Sequence, residues 1–229
     1  MKITKTIISS IVLTLLLGLS YQIKAEWRFI NSNVAHQSQK ENWSCGPTTI
    51  AMWAGSIRRA SLNPLTIADN CCGRDGTTIP EFMKGMFNNT PYGYVFSEWE
   101  YSDPEAAVKG VMWSVARFGE PVAVAGGSGT HYILIRGGRA DYNPYTNYNE
   151  NNHIRGVYVN DSTEGSPHYS APVSGMYRGQ EYPPEKLMRY WTKIGYPWDK
   201  KHRSIERGTY KAWDKQGKTY ENNNVFTNF

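Results

Sequence analysis

The stretch Gln39-Lys40-Glu41-Asn42-Trp43-Ser44-Cys45-Gly46-Pro47-Thr48-Thr49-Ile50-Ala51-Met52 decides how the rest of the chain is read. Pro47 suits the first turn of a helix, where its missing N–H would have had no partner. Ile50, Trp53, Ala54 and Ile57 then recur at spacings of three and four, giving that helix an apolar face over 45–59. Cys45 therefore sits at a helix N-terminus, whose partial positive charge favours a thiolate. A lone cysteine is more often a small buried hydrophobe, so the rest of the chain has to supply its partners.

Three features do so. His131 opens an apolar strand just after the small-residue loop 126–130, where another backbone or a substrate can come close. Asn160-Asp161 follows a short strand over 157–159, and an acceptor there would orient an imidazole and fix its tautomer; read otherwise, Asn-Asp-Ser is turn chemistry. Gln39 lies six residues before Cys45, and its amide is placed to donate to a developing oxyanion together with the Cys45 backbone N–H. His36, His153, His168 and His202 sit in loop-like sequence and read as surface residues.

Outward from these, the order is helices first and strands later. A lead-in over 26–39 is irregular, and a connection over 61–78 carries Pro64 and the adjacent Cys71 and Cys72. A helix over 80–87 ends at Asn-Asn-Thr-Pro. Asp103 caps another, with Pro104 at its first position and Gly119 as its stop. Strands over 121–125, 131–136 and 157–159 follow, with a Tyr/Asn-rich hairpin-like loop over 141–152 and a last helix over 184–193. This predicts an α+β domain, N-terminal helices packed on a mostly antiparallel sheet. The domain is expected over 26–195, and the aromatic, Lys/Asn/Gly-rich stretch 196–229 reads as a tail or surface extension.

Composition limits the function classes. Hydrophobic residues make up 40% of the 229, enough for a packed core. Lys2 and Lys5, the apolar run 7–19 and the small-residue exit at Ala25 read as a secretory leader cleaved before Glu26, which predicts a secreted or periplasmic protein. The run falls short of the ~20 residues a spanning helix needs, so no stable membrane insertion is expected after cleavage. Removing the leader lowers the net charge from +5 to about +2, too little to argue for nucleic acid. Three cysteines in an oxidising compartment leave one thiol over, and Cys71 and Cys72 are either bridged to each other or paired elsewhere. Their number and the poor His spacing argue against a zinc site, and no cofactor is expected.

The segment from Gln39 to Met52 closely resembles the nucleophile segment of double-glycine leader peptidases, which are papain-fold cysteine peptidases. Their pattern is a Gln, a short gap, Cys-Gly-Pro and a helix with Ala-Met. His131-Tyr-Ile-Leu-Ile-Arg-Gly137 is similar to that family's histidine strand, and Val157-Tyr-Val-Asn-Asp161 to the strand that follows it. Asp75-Gly-Thr-Thr and the helix around Trp191 also have counterparts. The resemblance, which spans residues 34–193, implies Cys45 as nucleophile, His131 as base, Asp161 as orienter and Gln39 as oxyanion donor. Gln37 and Asn160 are alternatives for the last two roles. It implies a protein or peptide substrate. The leader separates the chain from the family's transporter-bound relatives, which leaves open a cell-wall amidase acting on peptidoglycan peptides, a secreted toxin, or a papain-fold binding module that no longer catalyses.

Overall fold

The computed structural model describes residues 26–101, 103–126, 131–148, 152–193, 202–208 and 219–220. The elements run β1 (Trp27–Ile30), α1 (Cys45–Arg58), α2 (Pro64–Cys71), α3 (Ile79–Asn89), β2 (Val95–Tyr101), α4 (Pro104–Phe118), β3 (Val122–Gly126), β4 (His131–Ala140), β5 (Ile154–Asp161), β6 (Glu181–Tyr182), α5 (Pro184–Lys193), β7 (His202–Gly208) and β8 (Thr219–Tyr220). The strands form one sheet in the order β6-β5-β4-β3-β7-β2-β8, and each pairing described is antiparallel. β1 lies beside the outer half of β4, continuing the line of β3. This is the α+β fold that the order of elements predicts.

Helices cover both faces of the sheet. On β4, Tyr132 and Leu134 point into a core shared with α1 and α3, while Ile133 and Ile135 point into a second core under α4 and α5. All four are fully buried. This explains why 132–135 is continuously apolar and does not alternate. In the first core Trp53 of α1 meets Phe96 of β2 edge to face at 5.2 Å.

Helix starts follow their local chemistry. Thr78 and Glu81 form a reciprocal capping box on α3, and Asp103 accepts the Ala106 N–H at 2.8 Å to open α4. Gly119 closes α4 in the left-handed region at φ 64°. The helices expected over 45–59, 80–87 and 184–193 and from 103 to 119 are present within a residue or two of their bounds.

Four readings change. The lead-in contains β1, which passes so close to β4 that a Cβ on Gly137 would lie 2.2 Å from Phe29 O. The connection 61–78 contains α2, capped by Asn63, whose Oδ1 accepts from Leu65 N at 3.0 Å. β2 lies in a stretch to which the sequence reading assigns no element. The largest correction concerns the C-terminal stretch. Residues 202–208, expected in a tail outside a domain ending at 195, form β7 in the interior of the sheet between β3 and β2, and 219–220 pair with β2. Ile205 is fully buried in the first core, but Ser204 and Glu206 on the other face are polar and also buried. That polar alternation hides the strand from a hydrophobic reading.

Cys71 and Cys72 are bridged to each other, and Cys45 takes part in no disulfide. The expected leader, residues 1–25, lies outside the described residues. No described helix is long and apolar enough to cross a membrane.

Candidate active site

Cys45 is the first residue of α1. Its N-cap, Ser44, makes no side-chain capping bond; the Ser44 hydroxyl donates backward to Glu41 O at 3.0 Å. The first-turn amides therefore keep their partial positive charge beside the sulfur. Gly46 lets the mouth of the helix pack tightly, since a Cβ there would lie 2.3 Å from Thr77 Oγ1. This is what the Asp75-Gly-Thr-Thr stretch contributes. Cys45 is 6% exposed.

His131 opens β4, opposite Gly126 of β3. Its Nε2 lies 2.8 Å from Asp161 Oδ1, and the imidazole is also hydrogen-bonded to Cys45. A carboxylate only accepts, so Nε2 carries the proton and donates, leaving Nδ1 to serve the thiol. Burial opposes a charge on His131. The hydrogen bonds to Asp161 and Cys45 and their negative charge outweigh burial and hold its pKa well above the ordinary 6.5.

Asp161 ends β5, in register with Ile133, and is fully buried. Its Oδ1 also accepts from Thr163 N at 2.9 Å and Thr163 Oγ1 at 2.6 Å, and its Oδ2 from Ser174 N at 2.9 Å. Burial alone would raise its pKa. The His131 hydrogen bond and charge, with the bonds from Ser174 and Thr163, hold it well below the ordinary carboxylate range. Asp161 thus holds the imidazole, and Asn160 does not. The Asn160 side chain turns toward Met52 Sδ at 4.0 Å, and its buried Oδ1 has no hydrogen-bond partner. The strand reaches further than 157–159 because pairing with β4 continues through both residues.

Gln39 is near the site but not as expected. It is 1% exposed, and its Nε2 donates to Glu41 O at 2.9 Å and Asn42 O at 3.4 Å. In this geometry the Gln39 amide is turned to the carbonyls of the 40–44 turn. Gln37 is no substitute, because it lines a groove of about 510 Å³ with Met52, Ser56 and Arg59 along the later turns of α1. His36, read as a surface residue, is half-buried, with Nε2 3.0 Å from Asp161 O. His168 is exposed but bound, with Nε2 2.8 Å from Lys40 O.

Tyr190 carried no sequence signal. From α5 its hydroxyl donates to His131 O at 2.9 Å, and its ring stands edge-on to the imidazole, centroids 6.4 Å apart at 83°. Gly126 makes room for it, since a Cβ there would lie 2.4 Å from Tyr190 Cζ. Among the described residues no group of three or more His, Cys, Asp or Glu is placed to hold a metal ion.

No known protein family and no curated protein matches the chain. Two solved structures resemble its fold. A double glycine motif protease from an AMS/PCAT transporter, in complex with the leader peptide, is 15% identical over 78% of this chain and 93% of its own, with a TM-score of 0.47. The peptidase domain of Streptococcus ComA, a bifunctional ABC transporter involved in quorum sensing, is 12% identical over 77% and 98%, with a TM-score of 0.45. Both likenesses are distant.

Proposed function

We propose that the chain is a thiol hydrolase that cleaves peptide or isopeptide bonds through an acyl-thioester on Cys45. The hydrogen-bonded series Asp161–His131–Cys45 at the mouth of α1 carries this reading. His131 Nδ1 takes the thiol proton, and Sγ adds to the scissile carbonyl. The imidazolium then returns that proton to the departing amine. Water, deprotonated by the same nitrogen, releases the acyl group and restores the thiol. Asp161 holds the tautomer throughout and stabilises the imidazolium. The amides at the start of α1 face the developing oxyanion. The leader-like residues 1–25 favour action outside the cytoplasm on protein or peptide substrates.

The test needs no known substrate at its first stage. Without reductant, iodoacetamide should modify Cys45 alone, because Cys71 and Cys72 are bridged. The wild type and Cys45→Ala are then incubated with a peptide library and the products read by mass spectrometry. Cleavage by the wild type and none by Cys45→Ala is expected. Equal cleavage by both sinks the proposal.

A further inference from the structure

Cys45 is carried into the site by the turn 40–44, and three carbonyls of that turn are held by side chains. His168 Nε2 binds Lys40 O at 2.8 Å. Gln39 Nε2 donates to Glu41 O at 2.9 Å and to Asn42 O at 3.4 Å. Tyr169 Oη donates to Asn42 O at 3.3 Å, so that one carbonyl is gripped by two donors.

The other end of Gln39 is anchored to the strand that bears Asp161. Its N–H donates to Ser162 O at 2.7 Å, and its Oε1 accepts from Ser162 Oγ at 2.9 Å. Ser162 directly follows Asp161 and is fully buried. The Ser38 hydroxyl adds a link in parallel, donating to Glu164 O at 2.6 Å. One buried side chain thus spans from the acid's strand to the nucleophile's turn.

We infer that Gln39 is a positioning residue, a brace that sets Cys45 against the His131–Asp161 pair, with Tyr169 and His168 holding the outer side of the same turn. The inference rests on the thiol-hydrolase reading and gives this glutamine a different task from oxyanion donation. The thiol sits among His131 on β4, Asp161 on β5, Tyr190 on α5 and Tyr169 in the 162–180 loop, and each of these groups feels its charge or, for Asp161, that of the shared imidazole. A misplaced turn alters how all of them act on the sulfur.

Alkylation separates the two roles. When Cys45 Sγ displaces iodide from iodoacetamide, a C–S bond forms and iodide leaves, and no oxyanion develops. The rate therefore depends on how His131 holds the thiolate and not on any oxyanion donor. As a brace, Gln39→Ala should slow Cys45 alkylation at pH 7 about tenfold and displace its pH profile. Ser162→Ala and Tyr169→Phe, which remove one hydroxyl from each end of the brace, should each slow it about two- to threefold. Peptide turnover should fall in step through kcat, with KM little changed. Unchanged alkylation in all three variants overturns the inference, and unchanged alkylation with a lower kcat for Gln39→Ala returns Gln39 to the oxyanion role. If Gln39→Ala does not fold, the two hydroxyl variants decide by the same readings. A folded wild type whose Cys45 resists alkylation removes the hydrolase reading itself, an outcome distinct from the others.

Discussion

Replacing Asp161 by Asn tests the site without changing its shape. With Asn Oδ1 in the place of Asp161 Oδ1, the bonds from His131 Nε2, Thr163 N and Thr163 Oγ1 persist, but to a neutral acceptor. The new amide then faces Ser174 N, where Oδ2 now accepts at 2.9 Å, and two buried donors oppose each other. That broken contact costs about 1–3 kcal/mol, and losing the charge on the other three about 0.5–1 kcal/mol each. Relief of a buried charge offsets part of this. The expected loss of stability is about 2–4 kcal/mol, read as a lower urea midpoint at pH 7 with unchanged m. The chemistry should fall less steeply. His131 keeps its tautomer because Nε2 still has an acceptor, but the imidazolium loses its counter-charge. Alkylation of Cys45 should slow about 10- to 100-fold, with the loss concentrated below pH 8. Wild-type stability together with a wild-type alkylation profile would refute the assignment of Asp161 as the orienter.

Other expectations concern the supports of the site. Burial raises the Glu206 carboxyl to about 7 against hydrogen bonds from Ser204, Ser114 and Tyr101 that favour its charge. A raised carboxyl favours folding below the ordinary 4.5 and loses that contribution as pH rises to 7. At ~1.4 kcal/mol per pH unit this is roughly 3 kcal/mol. Glu206→Gln should flatten urea midpoints across that window relative to wild type, and a parallel decline in both proteins would exclude Glu206 as the source. Gly126→Ala drives a Cβ into the Tyr190 ring and should cost about 1–3 kcal/mol while slowing Cys45 alkylation; loss of stability with normal alkylation would show that Tyr190 does not position His131. Gly46→Ala meets Thr77 at 2.3 Å and should cost a similar amount, seen as a lower melting temperature, and an unchanged one would mean that Thr77 yields freely.

The helices were legible because their ends are written locally. Asp103-Pro104 and Gly119 mark their boundaries whatever the chain does elsewhere. The strands were legible where one run is apolar on both faces, as at 132–135, and not where burial is polar. β7 shows the difference. Ser204 and Glu206 read as solvent-facing, yet they lie under α4 with Tyr101, whose hydroxyl meets Glu206 Oε1 at 3.2 Å. Gly110 leaves room for that tyrosine, since a Cβ there would be 2.2 Å from its hydroxyl. Such a cluster is assembled by tertiary contact alone, and alternation along the chain gives no sign of it.

For the site, residue types in order brought out Cys45, His131 and Asp161, because each carries a chemistry that few positions can supply. What order could not supply is direction. Asn160 and Asp161 are neighbours on a strand, so their side chains leave opposite faces, and the register with Ile133 and Leu134 decides which one reaches His131. Gln39 has the amide an oxyanion donor needs, and in the fold that amide faces carbonyls of the backbone turn just after it. Tyr190 is invisible for a related reason, since its hydroxyl binds a backbone carbonyl that any residue at 131 would present. The same logic gives the C-terminal stretch a part in the site. β7 is the other neighbour of β3, pairing Ala123 and Ala125 with Ile205 and Arg203, while β3 sets Gly126 against His131 and Tyr190. A strand that reads as a tail thus steadies the one that lies against His131.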